Sequence, residues 1–317
     1  MITALFILGG LALLAFGGDA LVRGAVGIAG RLNWSPMFVG LVLVGFGTSM
    51  PELATSLQAQ SAGVPGVAVG NVVGSNIANI LLILGLGAAL RPILAVREAL
   101  LRDGIALSLT TIAAIAFLLY SPLPSFWGAL LIAMLIGYVA LSYVLDRRRG
   151  DKAGALHEAE AASASAPDQI GLAVGFFLGG LIAVIVGARL LVDGATTAAA
   201  SLGVPEAIIG LTLVAVGTSL PELAATVAAA LRRQGEVAFG NVIGSNIFNA
   251  AGILGATALV APLDVPQRMV NEDVWVMLAA TAILILFAFT GQRIDRREGL
   301  LLLALYVAYM IWLAASV

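Results

Sequence analysis

Residues 47–53 read Gly-Thr-Ser-Met-Pro-Glu-Leu, and residues 217–223 read Gly-Thr-Ser-Leu-Pro-Glu-Leu. The same offset of 170 residues relates Gly-Asn-Val-Val-Gly-Ser-Asn-Ile-Ala-Asn at 70–79 to Gly-Asn-Val-Ile-Gly-Ser-Asn-Ile-Phe-Asn at 240–249. Glycine, proline, acidic, hydroxyl and amide residues keep their order in both copies. The chain therefore consists of two related halves that carry the same two polar motifs.

Composition excludes most classes of protein. The chain has 317 residues, of which 61% are hydrophobic and 11% charged, and its mean hydropathy is +1.06. Soluble domains are about 45–50% apolar and about 25% charged, so this composition indicates a polytopic membrane protein. A formal net charge of −2 argues against a nucleic-acid partner, and the lack of cysteine excludes thiolate chemistry and sulfur-based metal sites.

Charges, prolines and short polar turns divide the apolar sequence into ten segments of the length needed to cross a bilayer, which is about 20 helical residues. The predicted spans have these approximate limits: 2–30, 36–60, 64–90, 103–120, 124–145, 169–200, 206–231, 236–260, 273–290 and 298–316. Each half holds five spans. Because five is odd, the second half crosses the membrane in the opposite sense to the first, which is an inverted-topology repeat.

The expected fold is thus an all-α polytopic membrane protein with ten transmembrane helices in two inverted-topology repeats of five. The first repeat comprises residues 1–145 and the second residues 169–317. Residues 146–168 are charged and rich in Ala and Ser, which is typical of a linker.

Basic residues predict the orientation. Of the 16 Lys and Arg residues, Arg23 and Arg189 lie within spans and Arg268 lies alone on one side, so the remaining thirteen share the other side. The positive-inside rule makes that side cytoplasmic. We therefore expect a multi-pass protein of the plasma membrane, with both termini extracytoplasmic and the linker cytoplasmic.

Two acidic residues lie in the middle of apolar spans. An ionised Glu52 or Glu222 at that depth costs at least about 2.5–3.5 kcal/mol. The second, third, seventh and eighth spans carry Lys or Arg only at their ends, so no internal basic residue offsets this cost. The sequence therefore predicts that a bound cation or proton neutralises the two acids.

Oxygen-bearing residues surround both acids at helical spacing. Pro51 and Pro221 interrupt the acid-bearing helices and release backbone carbonyls there. Residues three or four apart, which share a helical face, form these four sets: Gly45, Thr48 and Glu52; Ala215, Thr218 and Glu222; Asn71, Ser75 and Asn79; Asn241, Ser245 and Asn249. An all-oxygen site favours hard ions such as Na+ and Ca2+. Interhelical hydrogen bonding is the alternative role for each hydroxyl and amide.

Other polar and small residues have structural interpretations. Asp19 with Arg23, and Arg189 with Asp193, are four apart and predict neutralising pairs near opposite membrane faces. Small residues four apart predict close approach of the third and eighth spans to their neighbours, at Gly70, Gly74, Gly240 and Gly244.

The repeated Gly-Thr-Ser-x-Pro-Glu-Leu and Gly-Asn-x-x-Gly-Ser-Asn-Ile motifs resemble those of the cation/Ca2+ exchanger superfamily, and most of all its prokaryotic Na+/Ca2+ exchanger branch. The resemblance runs through essentially the whole chain. It implies a ten-helix fold in which the second, third, seventh and eighth spans surround the ions. It also implies that the long first and sixth spans slide between inward- and outward-facing states.

The resemblance further implies that Glu52 and Glu222 bind Ca2+ and Na+ alternately. Positions that match the family's other ligands are Thr48, Ser49, Thr218, Ser219, Ser75, Ser245 and Asn79, with Gly45 and Ala215 as carbonyl donors. Asn249 departs from the pattern, because related exchangers can carry Asp there. Two carboxylates balance one Ca2+ or two Na+, which leaves the family ratio of three Na+ per Ca2+ open for this chain.

The predicted function is secondary antiport of Na+ and Ca2+, with Ca2+ and Na+ as transported ions, the lipid bilayer as surroundings and no cofactor. H+ is the alternative counter-ion, and Mg2+ or Mn2+ are alternative divalent ions for the same ligands. A cation channel is a less favoured alternative, since channels usually use oligomeric rings of ligands. With no cysteine and no histidine within a span, the parts for nucleophilic catalysis are missing, so we expect no enzyme.

Overall fold

The computed structural model describes residues 2–95, 97–120, 125–163, 166–202 and 215–315. The described chain is nearly all helical. Its helices are α1 (Ile2–Leu32), α2 (Pro36–Thr48), α3 (Met50–Ser61), α4 (Pro65–Leu90), α5 (Arg97–Leu119), α6 (Ser125–Ser163), α7 (Ile170–Ser201), α8 (Ala215–Gly217), α9 (Leu220–Leu231), α10 (Gly235–Val260), α11 (Met269–Gly291) and α12 (Arg296–Ala315). Two short strands, β1 (Ile93–Leu94) and β2 (Arg293–Ile294), pair antiparallel and join the two halves.

Eight of the described helices are long and apolar enough to cross a membrane. Helices α2 and α3 meet at an angle of 41° and together make a ninth candidate span. The predicted seventh span, 206–231, falls partly on residues 203–214, outside the described residues. Its later part is the apolar helix α9. Each of the other nine predicted spans therefore corresponds to a described helix or bent pair.

Helices α4 and α10 form the centre of the molecule. In their most apolar stretches 78% and 89% of the residues are buried, against 11% in α12. Glycines bring α10 against α2: a Cβ atom at Gly240 would lie 2.9 Å from the Leu41 nitrogen, and one at Gly40 would lie 2.9 Å from the Val237 Cα. The close approach predicted for the eighth span is confirmed at Gly240 and Gly244, and it places the second polar motif of the second half beside the first motif of the first half. The approach predicted for the third span is wrong at Gly74, where a Cβ atom would meet no heavy atom of the described residues within 4 Å.

Helices α1 and α7 pack along their length through glycines seven residues apart. A Cβ atom at Gly17 would lie 2.8 Å from the Cβ of Ala183, and one at Gly187 would lie 2.8 Å from the Cβ of Leu13. Small residues let helix backbones approach in this way. The glycines of this contact are Gly10, Gly17 and Gly24 in α1 and Gly180, Gly187 and Gly194 in α7.

The predicted pair of Asp19 with Arg23 is wrong. Asp19 instead forms an ion pair with Arg232, at the end of α9, and the Arg23 guanidinium lies 4.8 Å from the ring centre of Phe176. Arg189 and Asp193 also form no ion pair with each other among the residues that the structure describes. An i,i+4 pair is worth only about 0.2–0.5 kcal/mol, so tertiary contacts decide these partners.

The predicted linker begins as a helix. Helix α6 runs without a break to Ser163, past the expected end of the fifth span at 145. Asp146 accepts hydrogen bonds from the Ser35 backbone nitrogen at 2.9 Å and from the Ser35 hydroxyl at 2.5 Å. Ser35 also caps α2 by accepting from the Phe38 nitrogen at 3.1 Å. The start of the linker is thus attached to the start of α2.

Candidate cation-binding site

Both acid-bearing helices break three residues before the glutamate. Ser49 has φ −82° and ψ 7° between α2 and α3, and Ser219 has φ −90° and ψ 6° between α8 and α9. A proline follows two residues later in each copy, where it cannot continue the preceding helix but fits the first turn of the next. Glu52 and Glu222 consequently lie in the first turns of α3 and α9. The predicted interruption of these helices is confirmed.

Each glutamate is contacted by the serine of the other half. Ser49 Oγ donates to Glu222 Oε1 at 2.7 Å, and Ser219 Oγ donates to Glu52 Oε1 at 3.2 Å. Ser219 Oγ also lies 3.3 Å from Ser75 Oγ. Both carboxyl groups are 1% exposed. The crossed serines therefore bring the two acids into one buried polar cluster.

One oxygen of each glutamate has no hydrogen-bond donor in the described part of the chain, namely Glu52 Oε2 and Glu222 Oε2. A buried carboxylate oxygen without a donor is costly unless another group satisfies it. These two oxygens are the atoms of the cluster best placed to accept a cation.

An asparagine from the following helix fixes each acid-bearing helix. Asn71 Nδ2 donates to the Glu52 carbonyl at 3.0 Å and to the Ser56 hydroxyl at 2.9 Å. Asn241 makes the equivalent two hydrogen bonds in the other half, at 3.2 Å and 2.8 Å. The expectation that these asparagines face the acid-bearing helices is confirmed. Their amide oxygens then point to the other half, as the two threonines show.

The two threonines of the motifs reach those amide oxygens. Thr48 Oγ1 lies 3.3 Å from Asn241 Oδ1, and Thr218 Oγ1 lies 3.5 Å from Asn71 Oδ1. Thr48 also donates to the carbonyls of α2. The crossed serine contacts, the asparagine hydrogen bonds and the threonine–asparagine contacts each have a counterpart at the 170-residue offset.

Backbone oxygens are less evenly placed. The Gly45 carbonyl accepts from Ser245 Oγ at 3.1 Å and from Thr48 Oγ1 at 3.3 Å, so it lies in the cluster. Ala215 begins α8, and its side chain lies outside the described residues. The structure thus brings the Gly45 carbonyl to the site, whereas the described residues do not place the carbonyl of Ala215 there.

Amide side chains complete the buried cluster between α4 and α10. Asn79 Nδ2 lies 3.5 Å from Asn246 Oδ1, and Asn76 Nδ2 donates to the Asn246 carbonyl at 3.3 Å. Both side-chain polar atoms of Asn249 and the Oδ1 of Asn79 lack partners among the described residues. The departing residue Asn249 is 0% exposed. It supplies a neutral, unused oxygen in the core.

Sequence reasoning missed three features of the site. The hydroxyls of Ser56 and Thr226 accept hydrogen bonds from Asn71 and Asn241. Their equivalent positions at the 170-residue offset could have indicated this role. Asn246 links the two central helices although it stood inside the repeated motif. The third feature is a set of π-helical turns at Gly40–Gly45, Asn79–Leu84 and Phe248–Ile253. Such turns are frequent at functional sites but have no sequence signature that we used.

Two cavities reach the cluster. The first, of about 330 Å³, is lined by Asn71, Ser75 and Thr218 at its inner end and by Met269 and Leu313 farther out. We name it the vestibule. A second cavity of about 200 Å³ also contains Thr218 and borders α7. Open space therefore reaches the site from the end of the molecule where α4 and α11 begin and α12 ends.

The donor set consists of oxygens. It holds two carboxylates, hydroxyls, amide oxygens and the Gly45 carbonyl, and no group of three or more His, Cys, Asp or Glu occurs in the described residues. Carboxylate, hydroxyl and carbonyl oxygens suit Ca2+ and similar hard cations. The arrangement can neutralise two positive charges with its two acids and solvate further charge with neutral oxygens.

The model of the family described as "Sodium/calcium exchanger protein" matches residues 2–144 and 172–315. CaxA of Alkalimonas amylolytica, provisionally named an antiporter, is 37% identical over all of both chains. The sodium/calcium exchanger MaX1 of Methanosarcina acetivorans is 36% identical over 97% of both chains. A structure of the sodium-calcium exchanger NCX_Mj superposes with a TM-score of 0.84 at 34% identity, covering 98% of both chains. The two crossed acid motifs and these full-length similarities together place this chain in the sodium/calcium exchanger family.

Proposed function

We propose that this protein is a secondary antiporter that exchanges Na+ for Ca2+ by alternating access. One observation carries the proposal. Glu52 and Glu222 are both buried, each is held by a serine of the opposite half, and each keeps one oxygen without a donor. Two acids arranged in this way need cations to offset their burial.

The proposed ligands are the residues that the motifs predicted. Glu52 and Glu222 supply the charge, and the crossed serines orient them. The other proposed ligands are Thr48, Thr218, Ser49, Ser219, Ser75, Ser245, Asn79, Asn249 and the carbonyls of Gly45 and Ala215. All of these side chains except those of Thr218 and Ala215 are buried, which supports this assignment.

Exchange follows from charge balance at one site. A site with two ionised carboxylates and no cation would carry its charge through a hydrophobic seal, which is costly. A site loaded with one Ca2+ or with two Na+ is neutral. Because both ions use the same carboxylates, they exclude each other, and a site that crosses only when loaded couples the movement of one ion to the return of the other when their gradients differ.

We further propose ten spans in two inverted repeats, residues 1–145 and 169–317, with residues 146–168 as a cytoplasmic linker. The reciprocal contacts between the halves support this topology, since Ser49 meets Glu222 just as Ser219 meets Glu52. The distribution of basic residues favours extracytoplasmic termini in the plasma membrane. In that orientation the vestibule faces the extracytoplasmic side.

The test is 45Ca2+ uptake into proteoliposomes under separately imposed Na+, K+ and pH gradients. We expect uptake driven by an outward Na+ gradient at equal pH, with saturation and a fixed exchange ratio. Uptake driven only by a pH gradient would assign H+ as the counter-ion. Flux that needs no counter-gradient and does not saturate would identify a channel and overturn the proposal.

Substitution of either acid tests the site. Glu52→Gln or Glu222→Gln removes a charge that no neighbour replaces, so we expect Na+-driven Ca2+ flux to fall to the level of protein-free vesicles. Asp264→Asn is the control, because it removes one negative charge at an exposed loop position. Flux that persists in both glutamate variants would exclude this cluster as the transport site.

A further inference from the structure

A third acidic residue lies on the route to the cluster. Asp273, in the first turns of α11, is 7% exposed and lines the vestibule together with Asn71, Ser75 and Thr218. Asp273 Oδ1 accepts a hydrogen bond from the Tyr309 hydroxyl at 3.0 Å. The carboxylate is thus held in the wall of the space that reaches two proposed ligands.

Among the described residues, no basic side chain forms an ion pair with Asp273. Arg268, the nearest basic residue in sequence, pairs with Glu272 at 3.4 Å and its guanidinium lies 5.5 Å from the ring centre of Trp312. Arg268 and Glu272 offset each other, and Asp273 is the one charged residue among the described residues that line the vestibule.

The equivalent residue in the other half has a different environment. Asp103, 170 residues earlier, is fully buried, binds Arg102 through two hydrogen bonds of 2.6 Å and 2.9 Å, and accepts from Tyr138 at 2.8 Å. The sequence explains the contrast, because Glu272 stands where the first half has Arg102. Asp103 is therefore neutralised by an arginine, whereas Asp273 has no ion pair among the described residues.

We infer that Asp273 is a docking point for cations in the vestibule, where the carboxylate and the Tyr309 hydroxyl attract Na+ or Ca2+ before it reaches Glu52 and Glu222. A narrow space with low-dielectric walls focuses the field of such a charge and raises the local concentration of cations. This inference rests on the proposed function. The inference adds to the proposed exchange a binding step on one side of the membrane, since the docking point serves only ions that arrive through the vestibule.

The experiment compares Asp273→Asn, Asp273→Glu and the control Asp264→Asn in right-side-out and inverted membrane vesicles. Asp264→Asn makes the same charge change outside the residues that line the vestibule. For Asp273→Asn we expect the Michaelis constant for Ca2+ to rise roughly two- to ten-fold on the vestibule side, with little change in maximal rate. Asp273→Glu keeps the charge and should retain most of the affinity. High salt should reduce the difference.

Several outcomes would overturn the inference. Among them are an unchanged Michaelis constant in Asp273→Asn, an equal rise in Asp264→Asn, and an equal rise on both sides of the membrane. If Asp273→Asn fails to fold, Tyr309→Phe replaces it. That change keeps the carboxylate of Asp273 but removes the hydrogen bond that holds it, so it should raise the Michaelis constant on the vestibule side by a smaller factor. Failure of the proposed function is separate, because it would appear as missing Na+-driven Ca2+ flux in the unmodified protein.

Discussion

Thr48 and Thr218 occupy the same position in the two repeated motifs, but the protein surrounds them differently. Thr48 is 0% exposed and hydrogen-bonds to Asn241, whereas Thr218 is half-buried and lines both cavities. The two residues have the same chemistry. Packing, and not residue type, therefore decides which half of the cluster is reached by solvent.

Two equivalent glycines of the second repeated motif, Gly244 and Gly74, show the same difference. Gly244 is buried, and a Cβ atom there would lie 2.7 Å from the Cα of Leu41. Gly74, its equivalent, is half-buried, with no heavy atom of the described residues within 4 Å of such a Cβ. Two similar sequences are thus packed tightly in one half and loosely in the other. In the alternative state of the protein we expect the packing to be reversed, with Gly74 tightly packed and Gly244 loosely packed, as alternating access requires.

The largest expected effect is in chemical accessibility. The chain has no cysteine, so Thr48→Cys and Thr218→Cys each introduce a single thiol. With a charged thiol reagent supplied from the vestibule side, we expect Thr218→Cys to react roughly ten-fold faster or more than Thr48→Cys. Labelling is measured by mass shift in vesicles of defined orientation. Equal rates for the two variants would contradict the difference between the threonines.

Alanine at the two glycines should separate the tight region from the loose one in stability. Overpacking costs about 1–3 kcal/mol, and we expect that range for Gly244→Ala because backbone atoms of Leu41 cannot move aside. Gly74→Ala should be close to the original protein. Thermal unfolding in detergent measures both. A larger loss of stability in Gly74→Ala than in Gly244→Ala would contradict the loose packing around Gly74.

The ion pair of Asp19 and Arg232 should stabilise the state in which the Thr48 side of the cluster is closed. The first-half counterpart of Arg232 is Ala62, so the equivalent pair cannot form at the other end. Both side chains are partly exposed, and such pairs contribute about 0.2–1 kcal/mol. We expect Asp19→Asn to increase labelling of Thr48→Cys from the side opposite the vestibule by less than about six-fold. A decrease would mean that the pair favours the opposite state.

The smallest effect concerns a helix cap outside both regions. Backbone N–H groups of Glu298 and Arg297 donate to Asp295 at 3.0 Å and 2.8 Å, and they hold the pKa of this exposed carboxyl below its usual value. Its stabilising contribution is therefore present above the usual pKa of Asp and is lost as pH falls through the lowered value.

We expect Asp295→Ala to lower the melting temperature slightly at neutral pH and to match the original protein in acid. Melting curves at several pH values measure this. The ratio of labelling between Thr218→Cys and Thr48→Cys should stay the same, because the cap touches neither region. A changed ratio would mean that the two arrangements depend on more of the molecule than the contacts around α2 and α10.

Features that follow from the sequence of a single helix were predictable. Hydropathy placed the spans, the proline placed the helix breaks, and the four-residue spacing placed Asn71 and Asn241 against the acid-bearing helices. These are local rules that act within one helix or between neighbours. The same rules fail for Asp19, because the i,i+4 spacing to Arg23 ignores the end of α9 that comes close in space.

Contacts between the halves, and differences between them, could not be predicted from the motifs. The crossing of Ser49 to Glu222 depends on which helices meet, and the repeated motif contains no such information. Thr48 and Thr218 both stand between a glycine and a serine, so the motif does not assign one of them to the closed side. The π-helical turns are likewise produced by packing between helices.

The seam between α1 and α7 has the property of an interface between identical subunits, since Gly17 meets Ala183 as Gly187 meets Leu13. A protein of half this length could build the same seam with a second copy of itself. In such a dimer every substitution would occur twice, once at each membrane face. A single polypeptide removes that constraint, so one half can bind Asp103 to an arginine while the other binds Asp273 to a tyrosine hydroxyl. Fusion thereby allows a two-fold framework to give its two faces different affinities.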